Sequence, residues 1–536
     1  MTGPRDGAVQ DTARRFPNTA AALAAHARER PEATALVAPP RHVSYRQLAS
    51  DVAAAVGALE RAGLAPGMRV GIELRRDRCL HLVLLLACEA IGLTTIAVGS
   101  ADLVPMEAQA DPVLRGCDRL LLADAAPDPL PHGLVVPPAW LADLPPPAPA
   151  EIAERLCRPP PDDRLVRIVR TSGTTGRPKA IGMTFAAQQR ILDTAIARVA
   201  PDLGPHPRFL ALYALAIRAS VTRVLQTLQC GGSVLFAARE QAPALIAAGV
   251  VDHLMFLVGD AEWVADRTMP PPKGHRLHVE LVGAPADPAL RAMLTERFGA
   301  HVTTCYSTNE TNLISFVGVD GVGALCPGVA VRIVDEAGRV LPLGEVGLIR
   351  VRTEVMTQSY VDDPVASAQA FVDGWYHTND LGFMPDPAHL VVLGRADDML
   401  NVGGVKILPR PIEARLKQVP GVRDAVLLAL ERPGRATRVA AALELGDSAL
   451  TPELVDRLRA IMAAAVPDAD LRPVPWFPRT PTGKVRRAVL RESLMTAGEP
   501  RHEAADGPVD GEKPRLLRPG ADGVLMAPRR GEGSER

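Results

Sequence analysis

Thr171-Ser172-Gly173-Thr174-Thr175-Gly176-Arg177-Pro178-Lys179 is the stretch whose reading decides the fold. Two glycines, four hydroxyls and a lysine in one loop suit a polyphosphate. Glycine lets backbone N–H groups approach closely, Ser and Thr donate hydrogen bonds, and Lys neutralises charge. The spacing is not that of a P-loop: two residues separate the glycines, and Arg177-Pro178 stands between Gly176 and Lys179. Taken alone, the same composition also fits an ordinary surface turn. Upstream, the run Arg164-Leu165-Val166-Arg167-Ile168-Val169-Arg170 predicts a strand, although its alternation is not strict. Downstream, after a short apolar bridge, the pattern predicts a helix over 185–200 with Thr184 as its cap.

The chain has 536 residues, too many for one core, so two or more domains are expected. Apolar residues make up 47% and charged residues 23%, as in a globular enzyme, and a net charge of −1 gives no field for nucleic acid or an anionic membrane. The seven cysteines are scattered, with no C-x-x-C pair, which argues against a disulfide framework or a zinc site and fits a reducing cytoplasm. Residues 1–15 carry no apolar stretch of the kind a secretory signal needs. The longest apolar run, 80–98, contains His81 and Glu89, and it predicts a buried helix leading into a strand rather than a membrane span.

Alternating helix and strand patterns from 18 to 123 predict an α/β layer, with helices over 20–27 and 45–62 (Ser44 as cap) and a strand at 69–74. The proline-rich stretch 125–150 predicts a surface connection. More α/β material follows, with strands at 233–237 and 278–282 and a helix over 288–298. Short β segments then appear at 331–334, 347–352 and 390–393. Beyond Gly394 the pattern is a compact α+β unit: a helix over 410–418, strands at 422–430 and 439–445, and a helix opened by Thr451-Pro452. The stretch 498–536, rich in Gly, Pro, Arg and Glu, predicts disorder.

Four further clusters carry chemistry. They are Tyr306-Ser307-Thr308-Asn309-Glu310-Thr311, Trp375-Tyr376-His377-Thr378-Asn379-Asp380-Leu381-Gly382, Gly394-Arg395-Ala396-Asp397-Asp398, and Arg479-Thr480-Pro481-Thr482-Gly483-Lys484. With the opening loop, in this order, they resemble the adenylate-forming superfamily of acyl-CoA synthetases, peptide-synthetase adenylation domains and luciferases, over about residues 18–494. The resemblance implies a large N-terminal domain at 18–393, made of two α/β subdomains plus a β-rich one. A hinge at 394–397 and a small, mobile α+β C-terminal domain at 398–495 follow, flanked by a flexible start (1–17) and a disordered tail (496–536).

In such enzymes the loop from Thr171 through Ser172, Gly173, Thr174, Thr175 and Gly176 to Lys179 holds the β- and γ-phosphates of ATP. The resemblance makes Glu310 the magnesium ligand, with Asn309 in place of the usual threonine. Gly283, Ala284, Pro285 and Tyr306 flank adenine. Asp380 and Arg395 bind the ribose hydroxyls, Asp397 is the hinge, and Lys484 reaches the carboxylate and α-phosphate. Thr171, Glu310 and Lys484 are thereby the expected catalytic residues. The implied activity is ATP- and Mg²⁺-dependent conversion of a carboxylic acid to an acyl adenylate, then transfer to a thiol. CoA is the default acceptor, and an acyl or peptidyl carrier protein or an amine is the alternative. A catalytically silent homologue serving as a binding module is a further one.

Departures from the family pattern bear on substrate. Asn379 stands where a glycine is usual, and Asn tolerates left-handed backbone better than most residues. Ser307 replaces a glycine that borders the acyl pocket. Arg218 falls where amino-acid-activating relatives place an aspartate; a cation there repels an ammonium and attracts an anion. The expected partner is a small polar or second-acid-bearing carboxylate or another small anion; the other reading places Arg218 in solvent or against an acid such as Asp287.

Overall fold

The computed structural model describes residues 16–73, 77–98, 112–123, 133–137, 139–171, 179–284, 286, 288–402, 405–430, 438–446, 449–463, 465–479 and 485–496. A six-stranded sheet runs in the order Gly133–Val135, Arg119–Leu122, Arg69–Glu73, Thr94–Ala97, Leu165–Thr171 and Lys179–Thr184. All its pairings are parallel except the last. The apolar bridge after the threonine-rich loop is therefore a strand, hairpinned onto the one before it. The proline-rich stretch is also more than a connection, because Gly133–Val135 forms the edge strand and Trp140–Asp143 a 3₁₀ turn. An edge tolerates neighbouring prolines, whose missing N–H deprives no further strand.

The second sheet is a continuous 14-stranded ladder of two characters. Strands Thr34–Ala38, Ser233–Phe236, Arg208–Ala211, His253–Leu257, Leu277–Val282 and Ala300–Thr308 are parallel neighbours in that order. Ala300–Thr308 then changes partner: through Thr304 it pairs parallel with Leu277–Val282, and from Cys305 it pairs antiparallel with Asn312–Val317. From that hairpin outward the ladder is antiparallel, through Val322–Leu325, His389–Arg395, Trp375–Asp386, Gly347–Arg352 and Ala330–Val334.

One core joins both sheets. Helices Thr19–Glu29, Tyr45–Arg61, Arg78–Ile91 and Arg218–Gln229 contribute Leu23, Leu48, Leu84 and Val224, packed with Ile72 of the first sheet and Phe209 of the second. Leu80 through Ile91 are all buried, as a helix covered on every side must be. Hydroxyl and carboxylate caps set the helix starts: Ser44 accepts from Gln47 N (3.2 Å), Thr184 from Ala187 N (3.2 Å), Thr451 from Leu454 N (3.3 Å) and Asp77 from Leu80 N (2.9 Å). No described helix is long and apolar enough to cross a membrane. After Asp398 a separate three-stranded sheet, Val422–Leu430, Arg438–Leu445 and Asp470–Val474, is covered by helices Pro409–Lys417 and Pro452–Met462 in one apolar cluster and by Arg487–Thr496 in another.

A buried ion network fixes helix Arg218–Gln229 to the parallel sheet. Arg223 donates to both oxygens of Glu280 (Nε 3.0 Å, Nη2 2.5 Å), and His253 Nε2 lies 2.7 Å from Glu280 Oε1. Burial alone would raise the Glu280 carboxyl; the Arg223 charge and the hydrogen bonds from His253 and Arg223 outweigh it and hold the group well below the ordinary range. Its contribution to stability is thus complete above the unfolded glutamate value, roughly 4.3, and is lost as pH falls toward the lower folded value. Arg223→Met, which strands a buried carboxylate, is expected to cost about 3–5 kcal/mol in denaturant unfolding. A loss below about 1 kcal/mol would contradict the network's role.

Candidate active site

The carboxyl ends of the parallel strands, where open α/β sheets bind ligands, are drawn together by Arg78. At the start of helix Arg78–Ile91, its Nη1 donates to Ala211 O (2.8 Å) and its Nη2 to Ala237 O (2.9 Å). The segment after Ala211 is pinned by Tyr213, whose hydroxyl donates to Asp260 Oδ2 (2.8 Å) and accepts from Leu257 N (2.8 Å). Ser220 Oγ donates back to Tyr213 O at 3.1 Å. The backbone here delivers Arg218 as the first residue of its helix, without a side-chain cap before it.

On one side of the Ala300–Thr308 hairpin lies Glu310, 8% exposed. Tyr360 OH donates to Glu310 Oε1 at 3.1 Å, and the segment 357–360 is anchored by Thr357 N donating to Glu310 O at 2.9 Å. Lys179 Nζ sits 4.8 Å from the centroid of the Tyr360 ring. The strand it opens bridges Tyr360 through Ile181, and Val361 N donates to Ala180 O at 2.8 Å. The two sheets therefore meet at Glu310. Burial, followed by the Glu310 charge, pushes the phenols of Tyr360 and Tyr376 upward, so both remain neutral donors. Arg218 is buried among these groups rather than in solvent. Its Nη1 donates to Asn309 O, its Nε has no hydrogen-bond partner among the described residues, and the Glu310 charge faces it. Burial draws its guanidinium down to about 10, and the group stays charged at neutral pH.

On the other side of the hairpin Tyr306 OH donates to Asp380 Oδ2 at 2.5 Å, while Arg395 Nη1 lies 3.4 Å from Asp380 Oδ1. Asp380 and Arg395 are direct cross-strand partners. Arg395 also donates to Thr378 O (3.1 Å) and to Asp397 Oδ2 (3.5 Å), and Asp380 N donates to Thr378 Oγ1 (3.0 Å). Burial and then the Asp380 charge drive the Tyr306 phenol well above its ordinary value. Asn379 adopts φ 60°, the left-handed conformation its side chain tolerates, and this turns Asp380 inward. Gly283, at φ +88°, and Ala284 are exposed at the end of Leu277–Val282, and Ser307 is exposed at a bulge in the hairpin.

Of the residues singled out in the sequence, Lys179, Asn309, Glu310 and Arg218 thus share one end of the cleft, and Tyr306, Asp380, Arg395 and Asp397 share the other. Thr171 pairs with Lys179 across its hairpin. Ser172, Gly173, Thr174, Thr175, Gly176, Pro285 and Lys484 lie outside the described residues. Three groups went unread. Tyr360 is remote in sequence from any motif; Tyr376 lay within one but carried no assigned role. Arg410, in the first turn of helix Pro409–Lys417, faces the charges of Asp380, Glu413 and Asp398 from the C-terminal unit.

Among the described residues no group of three or more His, Cys, Asp or Glu could hold a metal. Glu310 is a lone hard-oxygen donor, and Mg²⁺ bound with a nucleotide commonly takes one protein carboxylate and completes its shell with phosphates and water. The donor set fits such an ion.

Comparison with known proteins agrees with this geometry. The chain is 28% identical over 539 residues to a 2-hydroxy-7-methoxy-5-methyl-1-naphthoate CoA ligase of Streptomyces carzinostaticus, covering 89% of this chain and 93% of the relative. It is 29% identical over 507 residues to the phenyloxazoline synthase MbtB of a Mycobacterium species, 88% of this chain but 41% of that protein. ATP-bound MatB from Rhodopseudomonas palustris has the same fold, with TM-score 0.75 over 90% of this chain and 100% of that one, at 21% identity. Residues 23–361 match the AMP-binding enzyme family, and the chain belongs to it, within the adenylate-forming superfamily.

Proposed function

We propose that this protein activates a small carboxylic acid with ATP, forming an acyl adenylate, and passes the acyl group to a thiol, with CoA as acceptor. The observation that carries this reading is the single hairpin that sets a ribose-binding pair, Asp380 and Arg395, at one end and a phosphate-and-metal end, Lys179 and Glu310, at the other. CoA as acceptor is supported by the likeness to the naphthoate CoA ligase, and ATP by the shared fold with ATP-bound MatB.

In the first step a carboxylate oxygen forms a bond to the α-phosphorus. The bond from that phosphorus to the bridging oxygen breaks, and pyrophosphate leaves with the electron pair. No general base is required, because the acid is already ionised at neutral pH. Negative charge meets negative charge, so the work is positioning and electrostatic stabilisation. Mg²⁺ held by Glu310 would supply Lewis-acid neutralisation of the phosphates. Tyr360 holds Glu310 in place, Lys179 adds positive charge, and Asp380 accepts the ribose hydroxyls once the Tyr306 hydroxyl yields. Lys484 contacts the carboxylate and α-phosphate from the C-terminal domain. Rotation about Asp397 then withdraws it. In the second step the thiol sulfur bonds to the acyl carbon, AMP departs with the electrons of the broken C–O bond, and the thiol proton passes to solvent.

The buried cation Arg218 favours a small polar acid, or one bearing a second anionic group, over a fatty acid or a free amino acid. In pyrophosphate exchange, short polar acids are expected to turn over faster than long-chain ones; the reverse order would remove this substrate reading. ATP binding without exchange for any acid would instead favour a silent homologue. Lys484→Ala is expected to lose adenylation by about 100-fold or more, with far less loss of thioester formation from a supplied acyl adenylate. Equal loss in both half-reactions would contradict its role.

A further inference from the structure

The segment that carries Lys484 is tied down at both ends, and the chemistry above uses neither tie. Residues 480–484 lie between two described ends. Arg479 and Val485 form an antiparallel bridge, and Arg486 N donates to Pro478 O at 2.7 Å. The chain that leaves at Arg479 thus returns beside it at Val485. An arginine flanks the segment on each side, and each is seated on buried or half-buried acids.

At the entry, Asp424 and Glu444 are direct cross-strand partners in the C-terminal sheet. Like charges placed opposite each other destabilise a strand pair, so two carboxylates there need a cation between them. Arg479 supplies it: its Nη2 lies 2.5 Å from Asp424 Oδ2, on a residue 6% exposed, and 3.9 Å from Glu444 Oε2. Glu444 Oε2 also accepts from Phe477 N at 3.1 Å, just before Arg479. At the exit, Arg487 donates from Nη2 to both oxygens of Glu413 (2.8 Å each) and from Nη1 to Leu427 O (3.0 Å). Glu413 is buried and in turn accepts from Leu427 N at 2.8 Å. The same guanidinium reaches Asp398, next to the proposed hinge residue Asp397, with Nε 3.6 Å from Asp398 Oδ1. Charge-assisted seats of this kind fix an arginine's orientation as well as its charge.

We propose that Arg479 and Arg487 are positioning residues: their acid seats fix the two ends of the lysine segment, so that Lys484 is held to a narrow range of positions when it meets the carboxylate and α-phosphate. The Asp398 contact makes the exit end turn with the hinge. This rests on the Lys484 role proposed above and names what sets it. Adenylation is the half-reaction that needs the ammonium in place, and a displacement of about 1 Å costs on the order of 100-fold.

The test is Arg479→Met in the full chain, measured by pyrophosphate exchange with the fastest acid of the panel above and by thioester formation from that acid's adenylate. The variant keeps both acids partnered, because Lys417 Nζ lies 2.6 Å from Asp424 Oδ1 and Arg423 Nη1 4.0 Å from Glu444 Oε1. Exchange is expected to fall about tenfold or more in kcat, with thioester formation changed by less than about twofold. Arg479→Lys should recover most of the loss. In the Lys484→Ala background, Arg479→Met is expected to lower exchange no further, because no ammonium is left to misplace. Wild-type exchange in Arg479→Met, or the same fold loss with and without Lys484, would overturn the inference; a variant that merely misfolds gives that second result. Wild-type exchange in Lys484→Ala itself would instead overturn the role of Lys484 on which the inference rests.

Discussion

Strand Ala300–Thr308 belongs to two kinds of sheet at once, and the site depends on that change of partner. Through Thr304 it is the last parallel strand of an α/β layer, and from Cys305 it is the first strand of an antiparallel region. The carboxyl ends of the parallel strands open on one side, and the Trp375–Asp386 and His389–Arg395 strands stand on the other. Five residues, Tyr306 to Glu310, thereby link the Asp380 carboxylate, held by the Tyr306 hydroxyl, to the Glu310 carboxylate. A register slip of one residue would turn Tyr306 to the wrong face and displace the turn that carries Glu310.

Buried charge is the second constraint. Glu280 is matched by Arg223 and His253 and acts as an anchor, whereas Arg218 and Arg167 are not matched to the same degree. A satisfied network rigidifies the helix, whereas the Nε atoms of Arg218, at its start, and of Arg167, on the neighbouring sheet, have no hydrogen-bond partner among the described residues. The tie between Arg223 and Glu280 also keeps Arg218 in place, because both arginines lie within two turns of one helix.

Much of this was legible in the sequence, for local reasons. The caps at Ser44, Thr184 and Thr451, and the left-handed turn at Asn379, follow from short-range backbone chemistry that residue identity controls. That Asp380 and Arg395 lie near one another was implied by the family resemblance that the ordered motifs carry, and their cross-strand pairing came from the structure. Tyr360 was not legible, because its hydroxyl meets Glu310 across 50 residues of chain, through a bridge no local pattern encodes. Arg167 read as one of three arginines punctuating a strand, and only the tertiary structure shows it facing inward. The edge strand Gly133–Val135 was hidden by its prolines, which an edge position tolerates.

The central claim is that one hairpin joins the ribose and phosphate ends of a nucleotide site. Amide hydrogen exchange with and without ATP and Mg²⁺ tests it most directly. The account predicts that the nucleotide slows exchange together in three separate segments, 179–184, 305–311 and 376–395. Protection confined to the C-terminal unit, or no protection at saturating nucleotide, would contradict it.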